Sequence, residues 1–427
     1  MGYRRRVVLV LPDDFWCRND EERAILANAA GLADRFAARA AQHDRDGSFP
    51  HENFAELRAS GYLGLTVPRV YGGGGGGVFA MVLGQERLAR GDGSTALGVG
   101  WHLFTLGKQA QTPTWAAPLL DRLFAAASRG EVLINAAVSE PATGSPSRGG
   151  RPQTTARHEP TGGWRLDGRK TFTTLAPALT HIIVSATAED IARTASFLVP
   201  RATPGLRVEE SWDAMGMRAT GSHDLVLDGV VLPEDALVEP STSPNDPGGP
   251  EGAEVRGGGT AGWNLHIPAT YLGVARAAAD FAVAYAAQRR PNSISGSIAE
   301  LPHIEQKLGQ IQRQLLPAYD LMFSLARRWD DDAAARPQLS AAISVCKLVV
   351  MDAAMTVVDL AMRVVGGAGL SRRLPLERYY RDVRPGLHNP PMEDAVLTAL
   401  ARQAVRAAQA VSPEPAAPGA GQAPSAG

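Results

Sequence analysis

Hydrophobic residues recur at helical spacing through the first third of the chain. In residues 21–42 alanine and leucine return every three or four positions between arginines, and residues 54–60 and 79–90 continue the pattern. Such spacing places the apolar residues on one face of an α-helix. We therefore predict a mostly helical N-terminal domain over residues 21–134.

The period of the pattern changes after this domain. Short β-branched runs bounded by Asp-Gly and Pro-Gly turns occupy residues 163–175, 181–189, 195–200, 206–212 and 222–233. Runs of this length between turn residues are typical of β-strands. Residues 135–240 are thus predicted to form a compact β-domain.

Four long helical stretches follow a polar, glycine-rich segment. The segment, residues 241–262, holds too few apolar residues to pack and is expected to be a flexible loop. The helical stretches cover residues 263–289, 301–329, 337–365 and 391–410. Their alanine-rich apolar stripes favour an antiparallel four-helix bundle over residues 263–410, so the predicted fold class is α+β and mainly α.

The two ends of the chain are expected to lie outside these domains. Residues 411–427 are rich in proline, alanine and glycine, a composition typical of a disordered tail. Residues 1–20 are predicted to form an N-terminal extension, in which the apolar run 7–11 meets Pro12 and Asp13 too soon for a signal peptide or a membrane helix. We therefore expect neither secretion nor a membrane anchor.

Composition narrows the functional classes. The 427 residues are 44% hydrophobic and 20% charged with a net charge of -1, which allows a large core and gives no attraction to nucleic acid. Cys17 and Cys346 lie far apart, with no Cys-x-x-Cys pair or histidine cluster near them. Neither a disulfide framework nor a metal site is indicated, and a reducing, cytoplasmic location is expected.

Five motifs occupy residues 61–77, 134–146, 167–175, 212–233 and 364–384. In this order they resemble motifs of the acyl-CoA dehydrogenase superfamily, and the resemblance runs from about Glu21 to Ala408. It implies helical domains on either side of a β-domain, with a flavin, FAD or FMN, between them. It also implies a homodimer or homotetramer, because members of the superfamily share the cofactor across a subunit interface.

The resemblance assigns four residues to the flavin ring. Val138 and Ser139 match positions that hydrogen-bond the pyrimidine, Phe172 would pack on the isoalloxazine and Thr174 would reach N5. A large apolar ring with polar edges needs a flat side chain and a few fixed donors, and these residue types supply them. On the pattern alone, Phe172 would be a core aromatic residue and the others ordinary strand surface.

Other positions match the phosphate and adenine end of the cofactor. Gly144 and Ser145 match the first two residues of a Gly-Ser-Asp element whose aspartate is replaced here by Pro146. Arg289 and Arg290 resemble the arginine that meets the flavin pyrophosphate, which suits the bidentate guanidinium. An arginine at a helix C-terminus also offsets the helix dipole, so this assignment has a structural alternative.

Gly366 and Gly367 resemble a diglycine beside the adenine of a neighbouring subunit's cofactor. Glycine permits close backbone approach, although it also ends helices. The residues after Arg290 depart from the superfamily's Arg-aromatic-Gln pattern, which leaves FMN or loosely held reduced flavin open.

The superfamily's catalytic glutamate is missing from both of its usual positions. Counting from Arg381 and Asp382 leads to Pro390, and the alternative position falls near Trp263. Residues 387–391 resemble instead the Leu-His-Asp-Pro element of the oxygen-using branch, such as dibenzothiophene monooxygenase and sugar nitrososynthases. This resemblance implies that His388 donates a hydrogen bond toward flavin-activated oxygen, which an imidazole can do near neutral pH.

Two further residues are candidates for catalysis. His102 could reach the same cavity from the first domain, or be a hydrogen-bonded core histidine. Glu393 could serve as a displaced base in a true acyl-CoA dehydrogenase, as could His388 itself. Glu393 and Asp394 also fit as acids that stabilise a helix N-terminus.

Three functions therefore remain open at this point. The sequence favours a two-component monooxygenase that takes reduced flavin from a reductase partner and oxidises a small molecule, which could be an acyl thioester, an amine or amino sugar, or an aromatic or sulfur compound. An FAD-dependent acyl-CoA dehydrogenase is the alternative. A catalytically inactive flavin-fold protein that binds an acyl group or partner is the third, and the retained flavin-facing residues argue against it.

Overall fold

The computed structural model describes residues 11–143, 150–189, 193–240 and 260–411. The expectations for residues 1–10, Gly144, Ser145, most of the 241–262 loop and residues 412–427 lie outside these ranges. Within them, three layers follow one another in the predicted order.

Six helices form the N-terminal domain. They are α1 (Asp20–Ala37), α2 (Ala40–Asp46), α3 (His51–Ala59), α4 (Val78–Ala89), α5 (Gly93–Gln111) and α6 (Ala117–Ser128). Asn19 begins α1, since its side chain accepts the Glu22 N–H at 2.9 Å. Every residue of α4 is buried, which places this helix at the centre of the fold, between α1, α5 and the C-terminal helices.

The described part of the β-domain is one sheet of eight strands. They are β1 (Ile134–Ala137), β2 (Thr155–His158), β3 (Trp164–Thr173), β4 (His181–Ala188), β5 (Arg193–Pro200), β6 (Leu206–Glu209), β7 (His223–Leu232) and β8 (Leu237–Pro240). The order is β6-β7-β3-β2-β4-β5-β8, and β1 pairs in parallel with β4. The antiparallel β3–β7 pair has an irregularity between Lys170 and Thr173, at the end where β3 leaves the ladder.

Five helices make up the C-terminal domain. They are α7 (His266–Gln288), α8 (Pro302–Asp331), α9 (Arg336–Val365), α10 (Leu376–Asp382) and α11 (Glu393–Val411). The four long helices confirm the predicted bundle, and α10 is a short addition between α9 and α11. Among the described residues, one helical stretch, Ala333–Leu370, is long and apolar enough to cross a membrane by length and composition, and half of its apolar window is buried in the fold.

The described part of the predicted N-terminal extension packs on the bundle. Asp13 lies 2.8 Å from Arg90, the residue after α4, and 3.5 Å from Arg276 of α7. Trp16 stacks on Tyr319 of α8 with ring centroids 5.2 Å apart. Residues 11–19 therefore pack on the surface of the helices, with Cys17 buried and Asp13 paired with two buried arginines.

Candidate flavin site

Phe172 is an exposed aromatic residue at the end of β3. Its side chain is 67% exposed and its backbone has φ +55°, a value that few non-glycine residues adopt. Trp212 contacts the ring edge-on with centroids 5.9 Å apart. A large flat side chain held open to solvent in this way suits a flat apolar ligand.

Thr174 is buried beside this ring and joins a chain of hydroxyl groups. Its Oγ1 lies 2.9 Å from Ser222 Oγ, which lies 2.8 Å from Thr220 Oγ1. The side-chain amide of Asn135 donates to the Thr174 carbonyl at 3.0 Å and fixes the backbone. Neither Ser222 nor Asn135 was predicted from the sequence, because their contacts join residues 48 and 39 positions apart.

Val138 and Ser139 are half-buried just beyond β1, next to Phe172 in the fold. The Ser139 carbonyl accepts the Thr171 N–H at 2.9 Å, so the chain after β1 is fixed against the end of β3. The structure thus brings together all four residues that were predicted to face the flavin ring: Val138, Ser139, Phe172 and Thr174.

A buried ion pair supports this junction. Lys170 Nζ lies 2.5 Å from Glu140 Oε1 and 3.1 Å from Ser185 Oγ, and both charged side chains are almost fully buried. Burial opposes the charge of Glu140, but hydrogen bonds from Lys170, Thr154 and the Gln153 backbone hold the pKa of its carboxyl below the usual range. The pair connects the chain beyond β1 to β3 beside the predicted flavin contacts Ser139 and Phe172, and it was not predicted from the sequence.

The loop that carries Trp212 is attached to the C-terminal domain. Asp382, at the end of α10, accepts the Met217 N–H at 2.7 Å, and Gly216 approaches the Arg381 carbonyl so closely that a Cβ would lie 2.2 Å from it. Burial raises the pKa of the Asp382 carboxyl to about 7, although Arg378 opposes the shift. The Arg-Asp pair of α10 therefore holds the sheet and the bundle together beside Phe172.

His388 is exposed at the end of a short 3₁₀ turn, Arg384–Leu387. The loop behind it is fixed, since Asn389 Oδ1 accepts the Tyr271 hydroxyl of α7 at 2.5 Å. Gly386 packs where a Cβ would meet Met351 Cε at 2.4 Å and Tyr271 Cε2 at 2.8 Å. The backbone of this loop is thus anchored to α7 and α9, while the imidazole remains accessible.

Neither acid nor base occupies the superfamily's two glutamate positions. Pro390 follows the anchored loop and Trp263 is buried with 3% exposure. Glu393 is exposed as the first residue of α11 and is close enough to Lys347 to interact electrostatically. This placement matches the helix-terminal role considered for Glu393.

His102 has both ring nitrogens engaged. Nε2 is 2.9 Å from the Leu63 carbonyl and Nδ1 is 3.3 Å from the Ile134 N–H, so the neutral ring donates to the first and accepts from the second. Complete burial lowers its pKa to about 4. This geometry argues against a catalytic His102 and makes it a residue that positions β1, because no ring nitrogen is left for a substrate.

The candidate phosphate residues lie elsewhere in the single chain. Arg289 and Arg290 are exposed at the C-terminus of α7, 18 residues after Tyr271 and so about 27 Å further along the axis. Gly366 has φ +70° and ends α9, and a Cβ on Gly366 or Gly367 would meet no atom within 4 Å. Both groups are open to an external ligand or chain.

Known proteins share this architecture over nearly the full chain. Three family descriptions match in order: the acyl-CoA dehydrogenase N-terminal domain at residues 19–122, the middle domain at 135–230 and the C-terminal domain at 264–386. YdbM of Bacillus subtilis (strain 168), whose name assigns it provisionally to the acyl-CoA dehydrogenases, is 46% identical and covers 91% of this chain and 98% of its own. The amino sugar nitrososynthase RubN8 of Streptomyces rubradiris is 33% identical and covers 84% and 83%.

A solved structure shows the same fold with a flavin. The X-ray structure of KijD3 in complex with FMN and dTDP-3-amino-2,3,6-trideoxy-4-keto-3-methyl-D-glucose superposes with a TM-score of 0.78 at 28% identity. It covers 93% of this chain and 96% of its own.

Proposed function

The chain belongs to the acyl-CoA dehydrogenase family, a family of flavin-dependent oxidoreductases, and on this premise we propose that it is a two-component monooxygenase. In this proposal it receives reduced flavin from a separate reductase and uses O2 to oxidise a small organic substrate. The observation that carries the proposal is the accessible imidazole of His388 on an anchored loop, where dehydrogenases of the family carry a glutamate.

The residues around Phe172 fit a flavin ring. An exposed aromatic face, a hydroxyl chain at Thr174 and half-buried backbone at Val138 and Ser139 supply stacking and edge hydrogen bonds. Bound reduced flavin would supply the activation of O2. The protein's part is to hold the ring and to keep water away from it, because water entry turns activated oxygen into free hydrogen peroxide.

His388 would act as a hydrogen-bond donor. An imidazole has a donor N–H in its neutral and its protonated form, whereas an ionised carboxylate has none and would repel developing negative charge. Anchoring by Tyr271 and Gly386 fixes the loop before the reaction, so little reorganisation is needed.

FAD or FMN can be accommodated in different ways. A ring site alone would suffice for FMN, whereas FAD needs partners for its pyrophosphate and adenine. Arg289, Arg290, Gly366 and Gly367 are open in one chain, and we propose that they meet the cofactor of a neighbouring subunit in a homodimer or homotetramer.

Acyl-thioester dehydrogenation is the second candidate, favoured by the 46% identity to YdbM. In that case His388 would remove the α-proton, because Glu393 interacts with Lys347 at a helix terminus. The two roles of His388 predict different behaviour of the flavin. With His388 as a donor the oxidised flavin should not react with acyl-CoA, whereas with His388 as a base it should be reduced.

Anaerobic titration with straight-chain acyl-CoA separates the two functions. A monooxygenase should leave the oxidised flavin complex yellow, and the reduced complex should consume O2. Bleaching of the oxidised flavin by acyl-CoA, with a CoA ester of an α,β-unsaturated acid as product, would replace the monooxygenase proposal with the dehydrogenase.

A further inference from the structure

His266, the first residue of α7, is a fully buried histidine without a hydrogen-bond partner. Neither ring nitrogen meets a donor or acceptor among the residues that the structure describes. Burial lowers its pKa to about 3, so the ring is neutral and carries one N–H and one lone pair. Buried polar atoms are nearly always paired, which makes this lone pair a place where a donor is missing.

Aromatic side chains surround the ring. Trp101 lies edge-on at 4.5 Å between centroids and Phe104 lies at 5.5 Å, and both are half-buried. The edge-on contact lets an imidazole N–H point at an indole face, but nothing in the contact satisfies a lone pair. Gly100 packs closely on the ring, because a Cβ there would lie 2.7 Å from His266 Nδ1 and 2.5 Å from Gln85 Nε2.

The orientation of α5 places this cluster between the bundle and the sheet. Residues on a helix are rotated by about 100° each, so Gly93, Gly100 and Gly107 share one face. That face packs on Val274, His266 and Trp263 at the start of the C-terminal domain. Gly98, about 160° away, contacts Leu175, the residue after Thr174.

By the same rotation, Trp101 and Phe104 lie between these two faces of α5. At the start of α5 a Cβ on Gly93 would lie 3.2 Å from Met217, in the loop that carries Trp212. At the other end Lys108 lies 3.5 Å from Glu239 of β8. The lysine charge is thus paired, and the groups named around His266 are uncharged.

We propose that Trp101, Phe104 and His266 form a subsite for an uncharged, ring-bearing molecule, whose O–H or N–H group donates to the lone pair of the His266 imidazole. This subsite rests on the proposed function only in taking the region between the bundle and the sheet as the place where substrate binds. The aromatic walls select a ring, and the neutral acceptor selects a hydroxyl or an unprotonated amine over a carboxylate or an ammonium group.

Cyclohexanol and cyclohexanone form a matched pair of probes, because they share a ring and differ in the donor O–H. Full-length protein carrying ¹⁵N-labelled histidine is titrated with each, and the His266 signals are identified by their loss in His266→Phe. Cyclohexanol should move the signal of the unprotonated nitrogen as it accepts the hydrogen bond. Cyclohexanone should leave that signal in place.

The variants give the second readout. His266→Phe should weaken cyclohexanol binding about fivefold to tenfold, the effect of one hydrogen bond, without changing cyclohexanone binding. Phe104→Leu should weaken both probes, since it removes a wall and keeps the acceptor. His303→Phe, at an exposed position of α8, is the matched control and should behave as the unaltered protein.

Equal shifts with both probes, or a His266 signal that neither probe moves because a bound water holds the nitrogen, would overturn the subsite. The titration needs no turnover. A protein that binds cyclohexanol through His266 but reduces its flavin with acyl-CoA would therefore keep the subsite and lose the monooxygenase proposal.

Discussion

Phe172 is held in a strained conformation without being buried. A non-glycine residue in the left-handed region costs about 1–2 kcal/mol, and here the exposed ring gains little packing in return. Strain of this kind persists where the surrounding structure enforces it, and it concentrates at ligand sites. Fixation of the neighbouring residue Thr174 by Asn135 and Ser222 accounts for the enforcement.

Replacing Phe172 by alanine should weaken flavin binding. Loss of the stacking face removes about 0.5–1.5 kcal/mol beyond the lost contact area, so we expect the dissociation constant for FMN to rise about tenfold in fluorescence titration. Val231→Ala, at a half-exposed apolar position of β7, is the control and should leave the constant unchanged. Equal constants for Phe172→Ala and the unaltered protein would remove Phe172 from the site.

His102 should make the protein sensitive to mild acid. Its folded pKa of about 4 lies below the value of about 6.5 expected in the unfolded chain, so the unfolded state binds more protons as the pH falls through this window. Between pH 7.5 and pH 5 this one group should remove about 2 kcal/mol of unfolding free energy.

Urea unfolding at the two pH values tests this expectation. His102→Gln cannot titrate, so its unfolding free energy should change less between pH 7.5 and pH 5 than that of the unaltered protein, whatever its absolute stability. An unchanged pH dependence in the variant would show that His102 is charged or accessible in the fold.

Some of the site residues could be predicted from the sequence and others could not. Phe172, Thr174 and His388 stand in short motifs and could be named from them. Ser222, Tyr271 and His266 could not, because their contacts join residues far apart in the chain. His102 had two possible roles, and only the positions of Leu63 and Ile134 decide between them.

The end of β1 and the end of β3 act as one unit through Glu140 and Lys170. Glu140 follows Ser139 directly and Lys170 precedes Phe172 by two residues, so the buried ion pair spans the two chain segments that should meet the flavin. Two charges buried together are costly to separate, which makes the junction stiff.

Lys170→Met should therefore loosen the site as well as the fold. Leaving Glu140 buried without its partner is expected to cost about 3–5 kcal/mol in urea unfolding and to weaken FMN binding. Adding Glu140→Met in the same chain should recover much of the stability, since the unpaired charge is gone. If Lys170→Met alone were as stable as the variant with both substitutions, Glu140 would carry no cost without Lys170, and the ion pair would contribute no net interaction.

Helices were easier to foresee than strands. The predicted stretches 337–365 and 391–410 correspond to α9 (Arg336–Val365) and α11 (Glu393–Val411), because a helical spacing of apolar residues is clear when it repeats over many turns. Strands β1, β2 and β8 have four residues each, too few for an alternation to emerge. The packing of residues 11–19 also escaped prediction, since Asp13 pairs with Arg90 and Arg276, which lie far apart in the chain.

The described part of the chain leaves the end of α9 uncovered. Gly366 and Gly367 have open space where side chains would stand, although the neighbouring helices are closely packed. An open glycine pair fits a surface that another chain or the far end of a cofactor covers. The domain order could be predicted from the sequence. The role of this surface could not, because it depends on a partner chain or cofactor that one sequence does not specify.

Gly367→Arg should separate FAD from FMN. The single chain has room for the side chain, so its unfolding free energy should be unchanged, but a shared adenine site would be blocked. We expect Gly367→Arg to lose FAD binding and to sediment as a monomer instead of the proposed dimer or tetramer, while FMN binding remains. Gly309→Arg, at another open position on α8, is the matched control, and identical behaviour of both variants would exclude a role for the diglycine.

Oxygen chemistry at the imidazole of His388, on the loop where Pro390 stands at the family's glutamate position, is the central proposal. Stopped-flow mixing of the reduced-flavin complex with oxygenated buffer tests it, with His388→Ala and the control Glu393→Gln beside the unaltered protein. We predict a transient near-ultraviolet absorbance in the unaltered protein and in Glu393→Gln that decays at least about tenfold faster in His388→Ala. The absence of any transient in the unaltered protein, or the same lifetime in all three, would contradict the account.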